Sequence, residues 1–153
     1  MELWRVSIAE YAEDAFSGQG GLRYAARWHR VGTSVVYTSA SLALAAMEFF
    51  VNWKEQAAPR ALASISAHVP DGLRISVLSD QKLAKDWRSS RVREATQRIG
   101  SDWARSGESA VLSVPSAVIP QERNFLLNPA HRDFKRIRIG KPQPFSFGPR
   151  MWK

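Results

Sequence analysis

Between Leu42 and Val51 the chain sets one carboxylate, Glu48, into a run that is otherwise apolar, Leu-Ala-Leu-Ala-Ala-Met-Glu-Phe-Phe-Val. Nothing in the run breaks a helix, and Ser39 or Ser41 ahead of it supplies a capping oxygen, so the spacing predicts a helix from Leu42 to about Glu55. Its apolar side chains fall on every face, which requires cover on more than one side. The run is too short to span a bilayer and is interrupted by its own acid. A carboxylate buried there must be paired, protonated or turned toward a polar cavity, because an uncompensated buried charge is costly. Two readings stay open on the residues alone: a salt bridge to a core arginine, or an acid in a cleft.

The surrounding elements suggest what covers that helix. Leu3-Trp4-Arg5-Val6-Ser7-Ile8 alternates and is rich in β-formers, so it reads as a strand. A loop ending in Phe16-Ser17-Gly18-Gln19-Gly20-Gly21 leads to a short strand around Ala26 to Trp28, a turn at Val31-Gly32-Thr33, and a strand from Ser34 to Thr38. Ala61 to Val69 and Leu73 to Leu78 read as strands, and Lys82 to Ser90 as an irregular connection. Val92, Ala95, Ile99 and Trp103 recur at helical spacing, with Gly107 as terminator. Ala110 to Val114 is a buried-looking strand stopped by Pro115. Phe134 to Ile139 reads as another, and Phe145 to Phe147 as an edge. Strands outnumber helices without alternating with them, which predicts a mixed α+β domain rather than a doubly wound α/β fold.

A length of 153 residues fits one domain over 1–153. The chain has no cysteine, which excludes a disulfide scaffold, a thiolate metal site and a cysteine nucleophile. His29, His68 and His131 lack metal-site spacing, so no metal is expected. Met1 to Ile8 carries Glu2 and no sustained apolar run, so a signal peptide is not expected and a soluble cytoplasmic protein is. Net charge is +8, and most of the excess lies after Gln121: Arg123 to Lys153 holds eight basic residues against Asp133 alone. A tail of this kind suits nucleic acid, an acidic protein or an anionic small molecule, or is simply a solvated surface.

Several positions carry possible chemistry. Gly18-Gln19-Gly20-Gly21 allows close approach of backbone to a phosphate or sugar, yet it is neither a Rossmann fingerprint, since Leu22 to Trp28 reads as strand, nor a P-loop. Arg27, Tyr37 and Glu48 fall on successive elements. An arginine can clamp a pyrophosphate, a tyrosine can stack on a heterocycle, and a glutamate can stabilise positive charge developing on a sugar. Ser116 stands just beyond a strand end without the elbow of a hydrolase nucleophile.

The block FSGQGGLRYAARWHRVGTSVVYTSASLALAAME resembles the RES domain family, toxins of RES–Xre toxin–antitoxin systems. It is similar to that family's glycine-rich loop, RW strand, YTS strand and glutamate-bearing helix, in order. Asp86-Trp87-Arg88, Thr96-Gln97-Arg98-Ile99-Gly100, Ser109 to Ser116 and Asn124 to His131 agree as well, so the resemblance covers nearly the whole chain. Two departures stand out. The usual GRWN is Ala26-Arg27-Trp28-His29 here, and Phe147-Gly148-Pro149-Arg150 has glycine where aspartate is common.

The resemblance implies a fold similar to ADP-ribosyltransferase toxins, with NAD held in a cleft between strands and consumed as substrate. It implies a toxin that breaks the nicotinamide–ribose bond by hydrolysis or phosphorolysis, or one that transfers ADP-ribose to a protein. Arg27, Tyr37 and Glu48 match the family's essential polar residues and are the expected catalytic set. Arg5 and Ser116 join them in binding NAD: Arg27 with Arg5 on the pyrophosphate, Tyr37 beside nicotinamide or its ribose, Glu48 on the ribosyl cation, Ser116 orienting the ligand. The implied partners are an Xre-type antitoxin and a second copy of the chain, with DNA reached only through the antitoxin. The competing expectations are a non-enzymatic basic nucleic-acid-binding module and a degenerate RES domain that only binds its antitoxin.

Overall fold

The computed structural model describes residues 1–90 and 93–152. Among these residues eight strands form one sheet in the order β4-β5-β6-β2-β1-β3-β7, with β8 also paired to β3. They are β1 (Glu2–Ile8), β2 (Val36–Ser39), β3 (Leu62–His68), β4 (Ile75–Val77), β5 (Val111–Pro115), β6 (Arg123–Leu127), β7 (Arg138–Ile139) and β8 (Gln143–Phe145). All pairings are antiparallel except β4 with β5. Among the described residues three α-helices accompany the sheet: α1 (Gln19–Arg23), α2 (Leu42–Asn52) and α3 (Glu94–Ser106). The mixed α+β expectation holds. Among the described residues no helix is long and apolar enough to cross a membrane.

Alternation along the strands divides the apolar side chains between two faces. Leu3, Val36, Ile65, Val111, Phe125 and Leu127 join one core cluster. Leu112, Val114 and Leu126 face the other way, packing with Trp28, Val35 and Trp103 of α3. Val6 and Leu62 meet Ala45 of α2 in a third cluster, with Trp4, Leu42 and Phe49 beside it. The all-round apolar character of α2 has a matching cause. One side lies on β1 and β3, and another is capped by the chain's end, where Phe50 meets Phe147 at 5.9 Å and Trp152 at 5.5 Å between ring centroids.

Helix ends follow local chemistry. Ser41 is the N-cap of α2, its side chain accepting from the Leu44 amide at 3.1 Å. Helix α2 ends at Asn52, short of the expected Glu55. Gly107, at φ 67°, terminates α3 in the left-handed conformation that glycine adopts without strain. Of the residues expected on the inner face of that helix, Val92 lies outside the described residues.

Four local expectations need correction. Gln19–Arg23 is a short helix rather than loop and strand, and its Gly21 sits in a tight space. A β-carbon there would stand 2.4 Å from the Thr33 carbonyl. Ala26 to Trp28 is not a strand: Ala26 bridges only to His29, leaving a tight turn. Phe134 to Ile139 alternates like a strand, yet Arg132–Arg136 is a 3-10 turn begun by the His131 side chain, which accepts from the Asp133 amide. Only Arg138–Ile139 reaches β3. Pro115 also closes β5 as its last residue instead of standing outside it.

Candidate functional site

A cavity of about 510 Å³ opens between α2 and the turn Ala25 to Trp28, floored by β1, β2 and β6. Its size suits a small-molecule ligand. Arg5, Arg27, Tyr37 and Glu48 all line it, from β1, the Ala26–His29 turn, β2 and α2. Ser116, the fifth expected residue, does not line it.

Glu48 is held from the sheet. Its Oε1 accepts from Ser116 Oγ at 2.7 Å and from Asn124 Nδ2 at 2.6 Å. Asn124 is oriented in turn, because its Oδ1 accepts from Ser39 Oγ at 2.7 Å across the β2–β6 register. Ser116 is fully buried, and its hydroxyl oxygen also accepts from the Val118 and Ile119 amides at 3.1 and 3.0 Å. The serine thus holds the glutamate from outside the cavity lining. Glu48 Oε2 has no hydrogen-bond partner and Glu48 no ion pair among the described residues. Among the described residues the core-arginine reading of this acid is therefore replaced by neutral donors on one oxygen and none on the second.

The cations surround that acid without pairing to it. Arg27 donates through one terminal nitrogen to the Trp87 and Ser89 carbonyls at 2.7 and 3.2 Å, leaving its other N–H groups. Desolvation and neighbouring Arg93 lower its pKa, while Glu48 and Tyr37 oppose the shift. Arg5 reaches from β1 to the Tyr37 carbonyl at 2.9 Å, beyond the single register pair Trp4↔Ser39 that joins β1 to β2. Burial lowers its pKa, its Nε–H has no partner among the described residues, and only Tyr37 provides an opposing electrostatic contribution. Lys54 and Arg93 add two more positive side chains. Among the described residues Glu48 is the sole acid in the lining against four cations, so these side chains give the cavity a net positive charge with one fixed negative point.

Tyr37 lines the cavity, and its hydroxyl is held by the Ala26–His29 turn. The hydroxyl oxygen accepts from the Trp28 amide at 3.1 Å and lies 2.7 Å from His29 Nδ1. Burial raises its pKa well above the ordinary 10. Asn124, Lys54 and Arg93 in the lining, and His29 behind Tyr37, are residues that the sequence did not single out for the site. Asn124 and His29 stood inside quoted motifs, but only tertiary contact gives them a task. The glycine cluster does not border the cavity, nor do the basic side chains of Arg132, Lys135, Arg136, Arg138 and Lys141.

Comparison with known proteins fits this architecture. The RES domain family model matches residues 2–148. Toxin Res of Photorhabdus laumondii is 35% identical over the whole of this chain and 98% of that protein. A Sphingobium protein named Prs ADP-ribosylating toxin is 34% identical over 97% of this chain and 94% of its own. Toxin Res of Yersinia enterocolitica is 31% identical over 99% of each. Among solved structures, a chain of the M. tuberculosis MbcT-MbcA toxin-antitoxin complex superposes with a TM-score of 0.75 at 17% identity, over 99% of this chain and 86% of that one, a likeness of fold. By the match across its length and by these identities, the chain belongs to the RES domain family of toxins.

Proposed function

We propose that this toxin cleaves the nicotinamide–ribose bond of NAD, and that the cavity around Glu48 is where it does so. One observation carries the reading: a single oriented carboxylate inside a pocket whose other charged lining residues, among those described, are Arg5, Arg27, Lys54 and Arg93. NAD has the complementary charge pattern, an anionic diphosphate at its centre and a cationic pyridinium at one end. The arginines meet the diphosphate and Glu48 meets the positive end.

The chemistry needs little acid or base. As the C1′–N bond breaks, both electrons pass to the ring nitrogen and nicotinamide leaves neutral. The positive charge moves onto the ribose, where the free Oε2 of Glu48 stabilises it. Water then adds at C1′ and loses a proton, or phosphate adds in its place. Ser116 and Asn124 fix the carboxylate beforehand, so that no reorganisation is required during reaction. Neutralisation by an Xre-type antitoxin, a homodimeric toxin and action in the cytoplasm complete the proposal.

A second reading has a specific support, the Sphingobium relative named as ADP-ribosylating. In it a protein side chain, not water or phosphate, captures C1′. Purified protein incubated with NAD, with and without phosphate and with a cell lysate, separates these. Release of nicotinamide with free ADP-ribose, its phosphorylated form or a labelled protein identifies the acceptor. Intact NAD in all three mixtures at high enzyme concentration rejects the proposal.

A further inference from the structure

We propose that His29 is a positioning residue for this reaction, locking the Tyr37 ring as a wall of the cavity through a hydroxyl that takes no part in proton transfer. The inference rests on the NAD-cleaving reading and assigns work to a residue outside the cavity lining.

The hydrogen bonds fix the proton positions. His29 Nε2 lies 2.7 Å from the Tyr24 carbonyl, and the Gly21 carbonyl also acts on the ring. A carbonyl only accepts, so Nε2 carries the hydrogen. Burial lowers the pKa of His29 below its ordinary 6.5, which favours the neutral ring. Nδ1 is then a bare acceptor, and the Tyr37 O–H donates to it at 2.7 Å. The same hydroxyl oxygen accepts from the Trp28 amide. Its proton is committed to His29, a residue outside the cavity lining.

The support behind His29 is stiff. The residue is 3% exposed. A β-carbon on Gly21 would come within 3.3 Å of its Nε2, and one on Gly100 would come within 1.7 Å of the Trp28 carbonyl. The Trp28-His29 pair is thus gripped between α1 and α3, and it passes that rigidity to Tyr37 through two hydrogen bonds. The charged groups acting on Tyr37 are Arg5, Arg27 and Arg93, all cations, so none takes its proton.

Two measurements test this. Nuclear magnetic resonance of isotope-labelled histidine reads the tautomer without any turnover. Hydrogen on Nε2, with Nδ1 perturbed by Tyr37→Phe, is expected, and hydrogen on Nδ1 overturns the inference whatever the enzyme does to NAD. Wild type that releases no nicotinamide while giving the expected tautomer instead rejects the NAD reading. Kinetics then use His29→Asn, whose Oδ1 replaces the acceptor, and His29→Leu, which fills the space without one. His29→Asn should retain activity within about threefold, and His29→Leu should lose about tenfold or more in kcat/KM, as expected for a buried hydroxyl left without its acceptor. Tyr37→Phe should lose a similar amount, and the His29→Leu, Tyr37→Phe double variant no more than either. Additive losses would reduce His29 to packing, and a far larger loss in Tyr37→Phe than in His29→Leu would make the hydroxyl a catalytic group. Either result overturns the inference. If His29→Leu does not fold, the comparison of His29→Asn with Tyr37→Phe still decides it: equal losses count against it.

Discussion

Replacing Glu48 with glutamine separates geometry from charge in a way that few substitutions allow. Among the described residues Glu48 Oε1 receives two hydrogen bonds, from Ser116 and Asn124, and Oε2 receives none. A glutamine in the same rotamer keeps a carbonyl oxygen in the first position and puts its amide nitrogen in the second. Both donors stay satisfied, so the fold should be retained, with a melting temperature within about 3 °C of wild type, as expected when no buried partner is lost. What disappears is one negative charge facing the cavity. Two unit charges about 4 Å apart at an effective dielectric of about 20 interact by about 4 kcal/mol.

That energy corresponds to a loss of roughly a thousandfold in rate. The quantity to measure is kcat/KM, because the pyridinium of bound NAD is already cationic and part of the attraction appears in binding rather than in kcat. Nicotinamide release over a range of NAD concentrations yields it. A folded Glu48→Gln protein with kcat/KM within tenfold of wild type would refute the electrostatic role. A protein that unfolds would refute the hydrogen-bond reasoning instead.

Three further outcomes follow from the same geometry. Arg93 is exposed and lines the cavity, so Arg93→Ala should raise KM about five- to tenfold with kcat nearly unchanged, and the deficit should shrink at high salt, as titration of rate against NAD at two ionic strengths will show. Ser116→Ala leaves two amides without an acceptor and Glu48 with one donor fewer, which should cost about 2–4 kcal/mol and lower the melting temperature by roughly 5–12 °C. Because burial lowers the pKa of His29 in the folded chain, the unfolded chain binds its proton more readily. The stability this contributes is present above pH 6.5 and falls as pH drops through the lowered value, so melting temperature against pH should show a component that His29→Asn lacks.

Much of the scaffold is legible in the residues because the causes are local. The Ser41 cap, the Gly107 stop and the alternation of β1 and β3 depend on neighbours in the chain. Strand β6 is different. Arg-Asn-Phe-Leu-Leu has no β-branched residue and no alternation, and it becomes a strand because β2 and β5 pair with it on both sides. The same pairing gives Asn124 its role, since register with Ser39 and Val114 aims its amide at α2. His29 is hidden for a related reason: a histidine after Arg27-Trp28 says nothing of the tyrosine eight positions later until the turn folds back. Conversely, Phe134 to Ile139 has the period of a strand, and a side-chain cap from His131 overrides it.

The carboxylate in an apolar helix first admits two explanations, a structural ion pair or an acid in a cleft, and its partners discriminate between them on physical grounds. An arginine bonded to Glu48 would orient it well but would cancel most of its field at the cavity. Ser116 and Asn124 are neutral donors: they fix one oxygen, lower the cost of burial and leave the full negative charge to act on whatever enters. Arg27 is near enough to feel Glu48 electrostatically, yet its bound nitrogen is spent on the Trp87 and Ser89 carbonyls. Keeping acid and cations in one cavity but unpaired leaves each sign free for a ligand that carries both. Leucine at position 48 would leave the Ser116 and Asn124 donors without that acceptor, whereas glutamine keeps it and removes only the charge, which is why Glu48→Gln separates the structural role from the chemical one.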